Sequence, residues 1–180
     1  MKSLDEIAEL LSGQRGKPPI QKWHPELSGD IDIEIRPDGR WFHEGGEIRR
    51  HELVKLFASI LRREDDGDYY LVTPVEKWRI RVLDQPLLMV DCEAGGDQVL
   101  MKTNTDDWVL LNEEHPLTVS ADPETGEPYP TVQLANGLQA KVGRAVFYRL
   151  VEMGREQSGQ LWVESAGQRF LLGSTEQGKK

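Results

Sequence analysis

At 180 residues and 20.5 kDa the chain is one sizeable domain or two small ones, long enough to bury roughly 70% of its unfolded surface without disulfide or metal support. Lys and Arg number 22 against 31 Asp and Glu, a formal charge of −9, which repels phosphate backbones and anionic membranes and sets nucleic-acid and lipid-surface roles aside. The deficit is shared, with 14 basic and 17 acidic residues in 1–90 and 8 and 14 in 91–180, so neither half is a basic arm.

The first residues, Met-Lys-Ser-Leu-Asp-Glu, run from one lysine into acids without an apolar stretch of signal-peptide length. No stretch approaches the ~18 consecutive apolar residues that span a bilayer. The single cysteine, Cys92, has no partner for an internal disulfide, and no Cys-x-x-Cys spacing occurs. The expectation is a cytoplasmic protein.

Ser3-Leu-Asp-Glu6 is a capping-box pattern, and Leu4, Ile7, Leu10 and Leu11 follow at helical spacing, which predicts a short N-terminal helix over 3–12. Residues 14–29, with Pro18-Pro19, Pro25 and Gly29, read as a connector. Asp30-Ile-Asp-Ile-Glu-Ile-Arg36 then alternates strictly and predicts a strand with Ile31, Ile33 and Ile35 on one face. Pro37-Asp38-Gly39 turns it into a return strand, Arg40 to His43. An apolar stripe through Leu53, Val54, Leu56, Phe57, Ile60 and Leu61 predicts a helix over 49–62. Strands are expected at Tyr69 to Thr73, Val75 to Val82, Leu87 to Glu93, Gln98 to Thr103, Trp108 to Leu111, Leu117 to Val119 and Thr131 to Leu134. A second helix is predicted over 141–154, and Leu161 to Glu164 and Arg169 to Leu172 close the chain.

Self-similarity supports a degenerate duplication. An offset of 90 maps Ile48 to Leu138, Leu56 to Val146, Phe57 to Phe147, Ile60 to Leu150 and Leu61 to Val151. An offset of 92 maps Tyr70 to Trp162 and Trp78 to Phe170. The fold expected is α+β, mostly β, with two small subdomains carrying repeated strand-helix-hairpin motifs. Their boundaries are 1–29 for the N-terminal helix and connector, 30–86 and 87–173 for the subdomains, and 174–180 for a polar tail.

Chemical motifs are sparse. His24, His43, His51 and His115 are scattered without HxH, HxxxH or HExxH spacing, so neither a metal nor a cofactor is expected. There is no Gly-x-Ser-x-Gly elbow and no phosphate loop. Cys92 follows Leu88 and Val90 on an alternating strand and reads as a buried small hydrophobe. Arg49-Arg50 at a helix start offers an anion contact, or else two solvated arginines. Asn104-Thr-Asp-Asp107 gathers oxygen donors without the EF-hand order, and turn capping is its simpler use. Thr73-Pro-Val-Glu-Lys77 places a proline and an opposite-charge pair between two strand runs. The ligand-binding candidates are therefore His43, Arg50, Thr73, Glu76, Lys77, Asn104, Asp107 and His115. The alternative is that these polar groups satisfy buried backbone at irregular strand junctions.

Asp38-Gly-Arg-Trp-Phe-His-Glu-Gly45, Leu53-Val-x-Leu-Phe57, Tyr70-Leu-Val-Thr-Pro-Val-Glu-Lys77, Thr103-Asn-Thr-Asp-Asp107, Glu114-His-Pro-Leu117 and Val146-Phe-Tyr148 together resemble a bacterial family, domain of unknown function 1285. The resemblance runs from about residue 20 to 172. It implies a two-subdomain, mostly β fold with internal repeats, carries no established activity, and suggests signalling or regulation.

The leading functional expectation is a non-catalytic module for a small molecule or protein partner, acting in signal transduction or regulation. One alternative is a structural protein that forms a homodimer through strand edges. The other is an acid–base enzyme using His43, His115, Glu76 or Asp107.

Overall fold

The computed structural model describes residues 17–175; the helix expected over 3–12 and residues 176–180 of the tail lie outside them. The chain divides into two compact units, Met1–Pro86 with Ala135–Leu138, and Leu87–Leu134 with Gln139–Lys180.

Unit 1 begins at a 3-10 turn, Ile20–Lys22, and continues through β1 (Leu27–Ile35), β2 (Trp41–His43), β3 (Gly46–Glu47), α1 (His51–Ala58), β4 (Leu61–Arg63), β5 (Tyr69–Val72) and β6 (Lys77–Val82). The strands form one sheet in the order β3-β2-β1-β6-β5-β4, with β1 and β6 parallel and all other neighbours antiparallel. Ile31, Ile33 and Ile35 are buried as the alternation predicts, together with Trp41, Leu61, Leu71 and Ile80. Phe57 of α1 stacks on Trp41, ring centroids 6.4 Å apart. The opposite face of β1 carries Asp30, Asp32 and Glu34, and parallel pairing sets the β6 arginines beside them. Arg79 meets Asp30 at 3.0 Å, and Arg81 meets Asp32 at 2.6 Å and Glu34 at 3.5 Å. Opposite charges on adjacent strands thus favour this pairing.

Unit 2 contains β7 (Leu87–Gly95), β8 (Gln98–Thr103), β9 (Trp108–Leu110), β10 (Leu117–Ala121), β11 (Pro128–Gln133) and β12 (Gln139–Val142) in a second sheet, order β10-β11-β12-β7-β8-β9. After it come α2 (Arg144–Met153) and a three-strand antiparallel sheet of β13 (Arg155–Gln157), β14 (Gln160–Ser165) and β15 (Gln168–Ser174).

The two six-strand sheets share one topology. Each is a pair of three-strand meanders joined where the first strand of the first meander lies parallel to the last strand of the second, β1 beside β6 and β7 beside β12. The helix-then-meander motif also recurs, as α1 with β4–β6 and as α2 with β13–β15.

Three sequence expectations change. The helix expected over 49–62 stops at Ala58, because Ser59 donates its hydroxyl to the Leu56 carbonyl at 2.5 Å and tightens the last turn. Ile60 and Leu61 stay buried, and Leu61 opens β4. The helix expected over 141–154 starts at Arg144, and the residues before Gly143 form β12, with Ala140 and Val142 inward. Finally, the two helices start 93 residues apart rather than at the offset of 90 read from the sequence. A slip of three residues is nearly one helical turn and leaves an apolar stripe intact, which is why the shorter offset also fits.

Cys92 is fully buried on β7, and burial pushes its thiol up from its ordinary value. Arg149 of α2 donates to the Asp91 carboxylate at 2.6 Å and to the Cys92 carbonyl, pinning the helix over this stretch. A thiol reagent should therefore modify the native protein only as fast as it opens. Immediate stoichiometric labelling would show that the thiol is exposed.

Candidate functional site

Both polar stretches singled out in the sequence are strand-end turns closed by a threonine. Thr73, 2% exposed, follows β5; its hydroxyl oxygen accepts from the backbone N–H of Glu76 at 2.9 Å and of Val75 at 3.3 Å. Its own N–H donates to the Glu76 carbonyl at 2.9 Å. Thr103, the last residue of β8, repeats the device. Its oxygen accepts from the N–H of Asp107 at 3.1 Å and of Thr105 at 3.3 Å, while its N–H donates to the Asp107 carbonyl at 2.8 Å. Asn104 works as a rung of the sheet: its N–H donates to the Leu88 carbonyl at 2.8 Å and its amide oxygen accepts from the Leu88 N–H at 3.1 Å. That bridge sits where β7 and β8 slip register between Met89 and Asp91.

The remaining candidates are placed as follows. Glu76 accepts from the Trp78 indole N–H at 3.3 Å, and the Lys77 ammonium meets Glu64 at 2.8 Å. His43 shares the inner face of β1 with its partner Ile33, its Nε2 being 3.7 Å from the Glu44 carboxylate. Arg50 is the exposed N-cap of α1 and makes no side-chain cap bond. His115 has its Nδ1 3.0 Å from the Gln133 carbonyl. His43, Arg50, Thr73, Glu76 and Lys77 belong to unit 1, and Asn104, Asp107 and His115 to unit 2. Within unit 1 the structure does not gather them. His43 lies two strands from Lys77, and their partners on β1, Ile33 and Leu27, are six residues apart along that strand.

Lys77 leads to a polar site that the sequence reading did not single out. Arg62 on β4 is 11% exposed and donates to the Ile20 carbonyl at 3.0 Å, to the Trp23 carbonyl at 2.8 Å, and from Nε and Nη2 to one oxygen of Glu64 at 3.1 and 2.6 Å. The guanidinium thereby ties the connector to the edge strand. The other Glu64 oxygen accepts from Lys77. Next to this clamp, His24, Arg62, Arg63, Glu64, Asp66 and Asn136 line an open groove of about 610 Å3. Across β5, the Tyr70 hydroxyl donates to Asp66 at 2.5 Å and accepts from Arg79 at 3.2 Å. The bond to Asp66, then burial, pushes the Tyr70 hydroxyl up, and the same bond holds the Asp66 carboxyl down. Arg62, Glu64, Asp66 and Tyr70 are thus each held by neighbouring protein groups. Among the described residues no group of His, Cys, Asp or Glu is arranged to hold a metal ion.

Burial raises the Glu64 carboxyl, but its bonds to Lys77 and Arg62 outweigh that and leave it below the ordinary value. The charged form is thus favoured by folding. This stability is present above the unfolded glutamate value of about 4.3 and disappears as pH falls through the lower folded value. Glu64→Gln should destabilise the protein at neutral pH and flatten the loss of stability between about pH 5 and pH 3. Denaturation midpoints across that range test it, and parallel acid limbs in variant and native protein would refute the assignment.

The architecture defines a two-unit α+β protein, mostly strand, built on a repeated six-strand sheet and carrying a preset polar groove in its first unit. The chain belongs to the DUF1285 family: residues 18–85 match the domain of unknown function's N-terminal domain and residues 86–172 match its C-terminal domain. A crystal structure of a DUF1285 family protein from Silicibacter pomeroyi is 38% identical over all of both chains, with a TM-score of 0.92. Another, from Shewanella baltica, is 32% identical over 67% of this chain and 90% of its own, with a TM-score of 0.54. No curated protein matches the chain.

Proposed function

We propose that the chain is a non-catalytic, cytoplasmic binding module acting in signal transduction or regulation, and that a polar small molecule or a segment of a partner protein binds in the groove beside β4. The observation that carries this reading is the Arg62 clamp. Four of the guanidinium donor contacts are internal, so the groove wall is fixed before anything binds and little ordering entropy opposes binding. Exposed Arg63 and His24 at the rim supply donors, and Asp66 supplies an acceptor. Thr73 and Asn104, by contrast, spend their side chains on the backbone.

The test is a thermal-shift panel of polar metabolites with affinity capture from extract, run on the native chain and on Arg63→Glu. Arg63 is solvent-exposed, so the variant should melt within a degree or two of the native protein while losing its ligand or partner. Identical ligands and captured proteins for both would dismiss the groove.

A further inference from the structure

We propose that a second copy of this chain pairs with the open edge of the unit 2 sheet, β9 lying antiparallel to its counterpart about a twofold axis at Val109. This interface is independent of the groove, which lies in unit 1.

Strand β9 is the last strand on one side of its sheet. Its register with β8 sets Leu110 opposite Leu100, Val109 opposite Met101 and Trp108 opposite Lys102. Thr103 donates to the Asp107 carbonyl at 2.8 Å and Leu111 to the Val99 carbonyl at 3.0 Å. In an antiparallel ladder the bonded residues alternate, so Asp107, Val109 and Leu111 turn their backbone groups toward β8. The N–H and C=O groups of Trp108 and Leu110 therefore point away from the sheet.

Side chains follow the same alternation. Met101 is fully buried, which puts its partner Val109 on the inner face. Trp108, 44% exposed, and Leu110 lie on the outer face with Leu100 and Lys102. An edge strand reading Trp-Val-Leu has no charge, proline or bulge to deter pairing, the devices by which edges are ordinarily blunted. The other edges differ. β3 is two residues long, β13 reads Arg-Glu-Gln, β4 carries two arginines with Gly137 packed against Arg63, and the edge strands β10 and β15 lie against each other.

The strand is complementary to itself in one register. With the axis at Val109, Trp108 of each copy faces Leu110 of the other, and each such pair exchanges both backbone hydrogen bonds. The outer face gains Trp–Leu cross-strand pairs, and the inner face gains a Val109–Val109 contact. Asp107 then faces Leu111 and Asp106 faces Asn112, so no like charges oppose each other although the chain carries −9 overall. Moving the axis to Leu110 would set Asp107 against Glu113 and Asp106 against Glu114. Moving it to Trp108 would run into the turn at Asp106, whose φ is +69°.

Sedimentation of the full chain across a wide concentration range tests the interface. The weight-average mass should rise from 20.5 kDa toward twice that value, and Leu110→Lys should stay monomeric, with the melting temperature of the native chain diluted to its monomer. Geometry gives a second test. Val109 and its counterpart form a non-hydrogen-bonded pair with Cα atoms about 4.5 Å apart, within the disulfide range of roughly 4.4–6.8 Å. The two Leu110 residues are roughly 8 Å apart, too far to bridge. Mild oxidation should therefore link Val109→Cys into a dimer and leave Leu110→Cys unlinked. A chain monomeric at every concentration overturns the proposal and leaves the edge to a strand from another protein. So does a dimer that Leu110→Lys leaves intact, or one in which both cysteine variants cross-link equally. If Val109→Cys fails to fold, the sedimentation pair decides.

Discussion

Phe57→Ala should lower the unfolding free energy by about 3–5 kcal/mol, the range for removing a buried ring from a packed core. Phe57 has no exposed surface and is the one buried residue of α1. The other apolar positions on the helix are only half-buried, so this ring carries most of the attachment of α1 to its sheet. Its stacking partner Trp41 would lose a neighbour on a face with no water to replace it. Denaturant titration, following the tryptophan signal, reads the effect as a shift in midpoint. A loss below about 1 kcal/mol would mean that the ring is not packed as described. Leu150→Ala, at the most buried position of α2, should likewise cost about 2–5 kcal/mol.

Gly137→Ala should destabilise the protein more than any other glycine-to-alanine change on its surface. Gly137 has φ +73°, and a Cβ built there would sit 2.7 Å from the Arg63 carbonyl oxygen and 3.4 Å from the Arg63 Cβ. A left-handed non-glycine residue alone costs on the order of 1–3 kcal/mol. The overlap adds to that, because the atom met is backbone at the edge of β4 and cannot swing aside. Gly126 is the control, with the same φ of +73° but nothing within 4 Å of its Cβ position. Gly126→Ala therefore measures the left-handed conformation, and the difference between the two variants measures the close approach. Equal losses would show that residues 135–138 do not press on β4. Because Arg63 is also a groove residue, Gly137→Ala should in addition weaken whatever the groove binds.

The parts of this fold that the sequence reveals are those with local periodicity. β1 is legible because Asp-Ile-Asp-Ile-Glu-Ile alternates over enough residues to fix both faces, and β7 and β8 because Gly95-Gly-Asp97 marks their turn. β4, β12 and β13 are three or four residues long and hold too few side chains to distinguish a period of 2 from one of 3.6. In the sequence pattern two of them, β4 and β12, merge into the ends of the adjoining helices. The polar turns at Thr73 and Thr103 stand out by composition, but whether such a hydroxyl meets a ligand or a neighbouring amide depends on where the strands end. The groove was hidden for a different reason. Arg62 is held by the carbonyls of Ile20 and Trp23, 42 and 39 residues away in the chain, and a carbonyl acceptor leaves no mark on residue type.

The assignment of residues 135–138 to the first unit also sets an order on biosynthesis. A nascent chain has all of β1 to β6 by residue 82, yet the glycine that packs on Arg63 is made only after β7 to β11. During that interval the edge of β4 is an unfinished border, with the carbonyl of Arg63 open to solvent. The second sheet waits as well, since β7 cannot close against β12 until residue 142 has been added. Each three-strand meander can form locally, whereas the parallel joins that complete both sheets are long-range contacts and form slowly. Residues 135–142, a stretch shorter than three turns of helix, thus cap the first sheet and complete the second, and truncation before them would leave the first sheet without the turn that packs on β4 and the second without β12.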